Sequence, residues 1–96
     1  MSLMLVGVLT VRLALYQAVS LKDKRRVVKS IKDSVASRYN VSVAEIDALD
    51  VRQQAVLAFA MVGNDGHTIE GCLARIVDRL RRVGSASLVD YEVEFL

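Results

Sequence analysis

Basic side chains at the start of the first predicted helix are the residues here best suited to bind an anion. At about 100° per residue, five of them fall within an arc of roughly 120°. These residues, which we call the basic stripe, are Lys22, Arg25, Arg26, Lys29 and Lys32, interrupted only by Asp33. Cations near a helix N-terminus oppose the macrodipole, whereas the free N–H groups of the first turn favour an anion. Two interpretations stay open: a surface that binds phosphate backbone or an acidic protein, and an ordinary solvated helix face.

Lys24 lies in the same stretch but projects from a different side of the helix. By helical angle it falls near the apolar face, one turn before Val28. Two arrangements fit this position. The stem of Lys24 lies along the edge of the core while its ammonium group reaches solvent, or Lys24 forms a buried or half-buried pair with a carboxylate such as Glu45 or Asp47.

Side chains with catalytic or metal-binding chemistry are too few and too scattered to indicate an enzyme. His67 is the only histidine and Cys72 the only cysteine. Neither has the partners that a zinc site or a Cys/His nucleophile needs, so we expect an exposed histidine and a core cysteine. The carboxylates Glu45, Asp47 and Asp50 flank an edge strand, where solvation should prevent acid–base chemistry. We therefore predict a non-enzymatic protein with no catalytic residues, metal ligands or cofactors.

Alternating apolar residues predict four strands, and two amphipathic segments predict the helices between them. Ser20 should cap the first helix, with Asp23 completing a variant capping box, and Asn40 should end it in a left-handed conformation. The turn at Gly63–Gly66 lacks the residues of a phosphate loop. The predicted strands are 4–16, 41–47, 53 or 54–62 and 87–96. The first predicted helix is 21 to 38 or 39, and the second, capped by Asn64 or Asp65, runs to about Val83.

This βαββαβ order predicts a ferredoxin-like α+β fold. Right-handed crossovers place both helices on one face of a four-stranded antiparallel sheet, with the first and third strands central. Ninety-six residues support one core, so a single domain should span residues 4–96, and residues 1–3 resemble an expression scar. In the last strand the expected inward set is Val89, Tyr91, Val93 and Phe95, and the expected outward set is Asp90, Glu92 and Glu94.

The sheet face turned away from the helices is predicted to be an oligomer interface. It carries no aromatic residue, which argues against RNA stacking of the RRM type. With 53% hydrophobic residues, a small domain must expose apolar surface, and self-association covers it. We expect a homodimer or higher homo-oligomer through Val56, Ala58, Ala60 and Val62.

Charge and cysteine content indicate a cellular compartment but do not identify a binding partner. The net charge of +2 is too small to indicate nucleic-acid binding, although residues 1–48 carry eight basic and four acidic side chains. A single cysteine excludes an intrachain disulfide and fits a reducing cytoplasm. The sequence shows no signal-peptide pattern and no apolar span of about 18 residues, so we expect no membrane association.

Two tracts resemble the YlxP-like bacterial family, a domain of unknown function numbered 503. They are Ser20-Leu21-Lys22-Asp23-Lys24-Arg25-Arg26 and Tyr39-Asn40-Val41-Ser42-Val43-Ala44-Glu45. The resemblance implies a ferredoxin-like fold, a cytoplasmic bacterial protein and no assigned activity, with genes often close to those for ribosome maturation and translation. One departure is the polar tract Arg52-Gln53-Gln54, where the family pattern leads us to expect an aromatic residue.

Two functional hypotheses follow. The first is a non-enzymatic binding module that uses the basic stripe to bind RNA or a ribosome-linked partner. The second is a homo-oligomeric interaction or regulatory module, whose partner is a protein or a small anion rather than a nucleic acid. Binding to phosphate backbone weakens steeply with salt, because counterions are released, so salt dependence separates the two hypotheses.

Overall fold

Four strands and two helices follow one another in the predicted order in a computed structural model, which describes residues 3–96. Met1 and Ser2 of the expected expression scar lie outside the described residues. The second helix ends two residues before the predicted Val83. The elements are β1 (Leu5–Ala14), α1 (Leu21–Arg38), β2 (Ser42–Asp47), β3 (Gln54–Gly63), α2 (Gly66–Arg81) and β4 (Ser87–Phe95).

The strands form one antiparallel sheet in the order β2-β3-β1-β4. β1 and β3 pair along their whole length, from Leu5 opposite Gly63 to Ala14 opposite Gln54. These central strands are the two that the apolar pattern placed there. The predicted ferredoxin-like α+β fold is confirmed.

The core lies between one face of the sheet and the two helices. Alternate residues of the central strands, Leu9, Val11 and Phe59 among them, are completely buried there. Helix α2 comes so close to β1 that a Cβ at Gly7 would collide with the side chain of Ile69. Residues buried on the helices complete the core: Val28, Ile31 and Val35 from α1, and Ile69, Leu73, Ile76, Val77 and Leu80 from α2.

The beginning of α1 is as predicted, but its end is not. Ser20 Oγ accepts a hydrogen bond from the Asp23 N–H at 3.1 Å, and Asp23 Oδ2 accepts one from the Val19 N–H at 3.2 Å. These bonds satisfy donors that the helix itself cannot. The helix ends because Tyr39 is extended (φ −127°). The prediction that Asn40 adopts a left-handed conformation is wrong, because among the described non-glycine residues only Ala48 has a positive φ.

The exposure of β4 differs from the prediction. Tyr91, Val93 and Phe95 lie on the predicted face, opposite core residues of β1, but remain 43%, 41% and 39% exposed. Their position explains this, because β4 is an edge strand that α2 covers only in part. The prediction that Val89 points inward is wrong, because Val89 falls at a register shift in the β1–β4 pairing and is 58% exposed.

Candidate functional site

The basic stripe lies on α1, on the side away from the core. Lys22, Arg25, Arg26 and Lys29 are exposed, and Lys32 is half-buried. The buried side of the helix is formed by Lys24, Val28, Ile31 and Val35. The first four stripe residues therefore present their cationic groups to solvent along one side of the helix.

One acid offsets the charge of the stripe. Lys29 Nζ donates a hydrogen bond of 2.7 Å to Asp33 Oδ2, one turn further along α1. This hydrogen bond, together with the negative charge of Asp33, raises the pKa of Lys29. Both side chains are mainly exposed, so the pair should contribute little to stability. Within residues 3–96, the other four stripe residues form no ion pair.

Lys24 is buried and tied to the end of β2, which decides between the two arrangements that the sequence left open. Its Nζ lies 2.8 Å from Glu45 Oε2, and the side chain of Lys24 is 1% exposed. Glu45 Oε2 makes no aligned hydrogen bond, so the contact is an ion pair. Lys24 Nζ also donates to the backbone carbonyls of Ala48 and, at 3.2 Å, Leu49. A buried ammonium group is tolerated because these three oxygens replace its water.

The connection after β2 curls around this ammonium group. Ala48 has a left-handed φ of 56°, which is unfavourable for a side chain with a Cβ. The turn is closed by a hydrogen bond of 3.0 Å from the Val51 N–H to the Ala48 carbonyl, and Asp47 Oδ1 accepts from the Ala48 N–H at 2.7 Å. These contacts turn the carbonyls of residues 48 and 49 towards Lys24, and we call the assembly of Lys24, Glu45, Ala48 and Leu49 the lysine anchor.

A second basic region, which the sequence did not reveal, lies between the C-terminal halves of α1 and α2. A cavity of about 540 Å³ is lined there by four arginines and one aspartate, together with Ser34, Tyr39 and Val83. Arg79 donates two hydrogen bonds to Ser34 Oγ, at 3.1 Å from Nε and 2.7 Å from Nη2. The charged residues of this arginine pocket are Arg38, Arg75, Arg79, Arg82 and Asp78.

Only part of this pocket could have been found in the sequence. Arg75, Arg79 and Arg82 are spaced i, i+4 and i+7, which places them on one side of α2. Ser34 and Arg38 are likewise one turn apart on α1. The signal for two helix faces was present, but the sequence does not say that those faces meet across a groove.

The predicted oligomer face is the open face of the sheet, but its four residues are not equally available. Val62 is 57% exposed, and Ala58 and Ala60 are half-buried. Val56 is only 6% exposed within the chain, so it offers little surface to a partner. Ile46, at the register shift in the β2–β3 pairing, is also 51% exposed.

The residues considered for catalysis do not come together. His67 is exposed in the first turn of α2, where its N–H donates to Asp65 Oδ1 at 3.0 Å, and Cys72 is half-buried and free. Glu45 is engaged by Lys24, whereas Asp50 is exposed. No group of three potential metal ligands occurs among residues 3–96. Neither helix within residues 3–96 combines the length and the hydropathy of a membrane-spanning segment.

Fold and surface together define a small α+β domain with two basic regions. Residues 6–93 match the model of a family described as a protein of unknown function, DUF503. The chain therefore belongs to the DUF503 family, as its resemblance to the YlxP-like proteins implied. The family has no assigned activity.

One relative and one solved structure extend this result. The chain is 36% identical over 63 residues to the uncharacterized protein YlxP of Bacillus subtilis (strain 168). The aligned residues cover 66% of this chain and 68% of the relative. It also matches the de novo designed protein Foldit4 with a TM-score of 0.55 and 19% identity, over 97% of this chain and 96% of that one. At this identity, the second similarity concerns the fold alone.

Proposed function

We propose that this protein is a non-enzymatic module that binds the phosphate backbone of RNA through the basic stripe. The observation that supports it is the exposure of Lys22, Arg25, Arg26 and Lys29 on one side of α1, where only Lys29 is paired with an acid, Asp33, within residues 3–96. From Lys22 to Lys32 the stripe extends about 15 Å, at 1.5 Å per residue, which is long enough to follow several successive phosphates.

Salt dependence provides the first test, with a labelled single-stranded RNA of mixed sequence as the probe. If all five stripe residues neutralise a phosphate, log K should fall with log salt at a slope of about −3.5. Affinity should then fall roughly 100-fold between 50 and 200 mM salt. Fluorescence anisotropy at a series of salt concentrations measures both quantities. A slope close to zero would contradict phosphate binding.

A pair of matched triple variants locates the binding surface. Replacing three stripe residues by glutamine should make the salt slope shallower, at about −1.4, and should weaken binding at low salt. A control variant loses the same net charge from exposed arginines outside the stripe and should keep most of the slope. Equal effects of the two variants would indicate attraction by net charge, without a defined surface. The stripe variant is K22Q/R26Q/K29Q, and the control is R12Q/R52Q/R81Q.

A second candidate function is supported by the open face of the sheet. Val62 is 57% exposed and lies on the open face of the sheet beside the aliphatic residues Val8, Ala58 and Ala60 of β1 and β3. A homo-oligomeric interaction module would cover this face with a second copy. Sedimentation should then detect a dimer or higher oligomer at micromolar concentration, and A60E should dissociate it. A wild-type monomer under these conditions would exclude this candidate.

The cytoplasm is the compartment that we infer for this function. Cys72 is the only cysteine and is free, which suits a reducing environment. An RNA partner would also be met there. Cell fractionation followed by immunodetection tests the assignment, and recovery in a membrane or secreted fraction would contradict it.

A further inference from the structure

The arginine pocket concentrates positive charge in a concave site that the proposed RNA surface does not include. Four guanidinium groups and one carboxylate line a cavity of about 540 Å³. Its volume falls within the range of about 300–1,000 Å³ that is usual for small-molecule sites. By helical angle, Ser34 and Arg38 project from the side of α1 that faces α2, about 120° or more from the centre of the basic stripe.

A stabilising effect on the helices explains the positions of only some of these arginines. Arg38 and Arg79 lie in the last turns of their helices, where a cation interacts favourably with the macrodipole. Arg75 lies more than one turn before the end of α2 and gains little from it. The one acid in the pocket, Asp78, has its Oδ1 3.7 Å from Arg81 Nη1, a group outside the pocket. Within residues 3–96, Arg38, Arg75 and Arg82 form no ion pair.

Arg79 is held ready for a ligand by the opposite helix. Ser34 Oγ accepts two hydrogen bonds from one guanidinium group, which fixes its plane across the groove. A guanidinium group has five N–H donors, so several remain for another acceptor, and the Ser34 hydroxyl can still donate its own proton. A planar guanidinium group held in place matches the oxygen atoms of a phosphate, which it can bind in a bidentate manner.

We propose that the arginine pocket binds the phosphate monoester group of a small phosphorylated molecule. A monoester carries close to two negative charges at neutral pH, which suits a pocket whose four arginines face one aspartate. The cavity is larger than one phosphate needs, so the rest of the molecule can lie against Tyr39 and Val83. This site is separate from the basic stripe and does not depend on RNA binding.

A nuclear magnetic resonance titration tests the proposal directly. Inorganic phosphate and adenosine 5′-monophosphate are added to ¹⁵N-labelled protein, with sodium chloride at matched ionic strength as the control. The Nε–Hε signals of Arg75, Arg79 and Arg82 should shift and saturate with phosphate but not with chloride. Tighter binding of the nucleotide would show that the pocket also recognises the organic group, and equal binding that the phosphate suffices. Absence of saturation with both would overturn the proposal.

Two variants distinguish this site from the stripe: the pocket variant R38Q/R75Q/R82Q and the stripe variant K22Q/R26Q/K29Q. Removing the three exposed arginines of the pocket should weaken phosphate binding by about tenfold or more for each guanidinium group that contacts it. None of the three donates a side-chain hydrogen bond within residues 3–96, so the fold should survive. The stripe variant should keep phosphate binding, and the pocket variant should keep most RNA binding. Loss of phosphate binding in the stripe variant alone would place the anion site there.

Ser34 is a positioning residue in this proposal, and S34A tests that role. Without the hydroxyl, Arg79 loses its orientation, so phosphate affinity should fall several-fold and the free-state Arg79 Nε–Hε signal should exchange faster with water. S37A is the matched control, because Ser37 Oγ donates only to the Ser34 carbonyl, at 3.0 Å, and lies outside the pocket. Equal phosphate affinity in S34A and wild type would remove Ser34 from the site.

Discussion

Lys24 of the lysine anchor shares a turn of α1 with the first residues of the basic stripe, yet the two regions use positive charge in opposite ways. Lys24 is buried, and its ammonium group contacts Glu45 and two backbone carbonyls. Lys22, Arg25 and Arg26 beside it are exposed and make no ion pair within residues 3–96. The charge of Lys24 is therefore used within the fold, whereas that of its neighbours is available to a partner.

This difference shows that a run of basic residues is not one functional unit. A helix turns about 100° per residue, so adjacent side chains reach different surroundings. The lysine that points to the core is held by fixed oxygens, and removing it should leave those oxygens without a partner. A lysine on the other side is hydrated, and its removal should cost the fold little. The following experiments separate the two roles, beginning with the largest expected effect.

Replacing Lys24 by methionine should destabilise the protein by about 3 kcal/mol, because the partly buried Glu45 carboxylate loses its counter-charge and two carbonyls lose a donor. K22M places the same substitution on the exposed side of the same turn. It should change the free energy of unfolding by less than about 0.5 kcal/mol. Urea denaturation measures both values, and similar effects of K24M and K22M would remove the distinction between anchor and stripe.

Replacing Glu45 together with Lys24 should recover part of the loss. In K24M/E45M no unpaired carboxylate remains, so the double variant should be about 1–2 kcal/mol more stable than the sum of the two single effects implies. A double-mutant cycle by urea denaturation gives this coupling energy. Simple additivity would mean that the carbonyl contacts of Lys24, rather than its ion pair, carry its contribution.

Glycine at position 48 should stabilise the protein slightly. The left-handed φ of Ala48 favours glycine, but the greater freedom of glycine in the unfolded chain offsets part of the gain, leaving about 0.5 kcal/mol. In the K24M background the loop is no longer held, so the gain should disappear. Thermal unfolding of the four proteins tests this, and an equal gain in both backgrounds would show that Lys24 does not hold the turn.

The smallest effect concerns Lys29 in the stripe. Asp33 raises its pKa above the usual 10.5 through a hydrogen bond and its charge. The associated stabilisation is present at pH values below 10.5 and is lost as the pH rises through the higher, folded-state pKa. D33N should lower the pKa of Lys29, as followed by the pH dependence of its side-chain carbon resonances, with no measurable change in stability near neutral pH. An unchanged pKa would mean that the pair does not persist in solution.

Local patterns predicted most of the fold. The two central strands, the cap at Ser20 and the side of α1 that carries the stripe depend on residues close together in the chain, where periodicity is informative. The burial of β4 was predicted less well. Its alternation identified the face of Tyr91, Val93 and Phe95 but not that of Val89, and no local pattern shows that α2 leaves Tyr91 and Phe95 more than a third exposed.

The sequence by itself determined the order of the elements, the faces that they bury and the membership of the basic stripe, because these depend on helix and strand periods. Only the tertiary structure decided that Lys24 reaches Ala48, 24 residues away, and that Arg79 reaches Ser34, 45 residues away. Both contacts depend on how separate elements pack against one another. The carbonyl contacts of Lys24 and the arginine pocket became visible only there, since a pair of complementary faces has no signature in either segment alone.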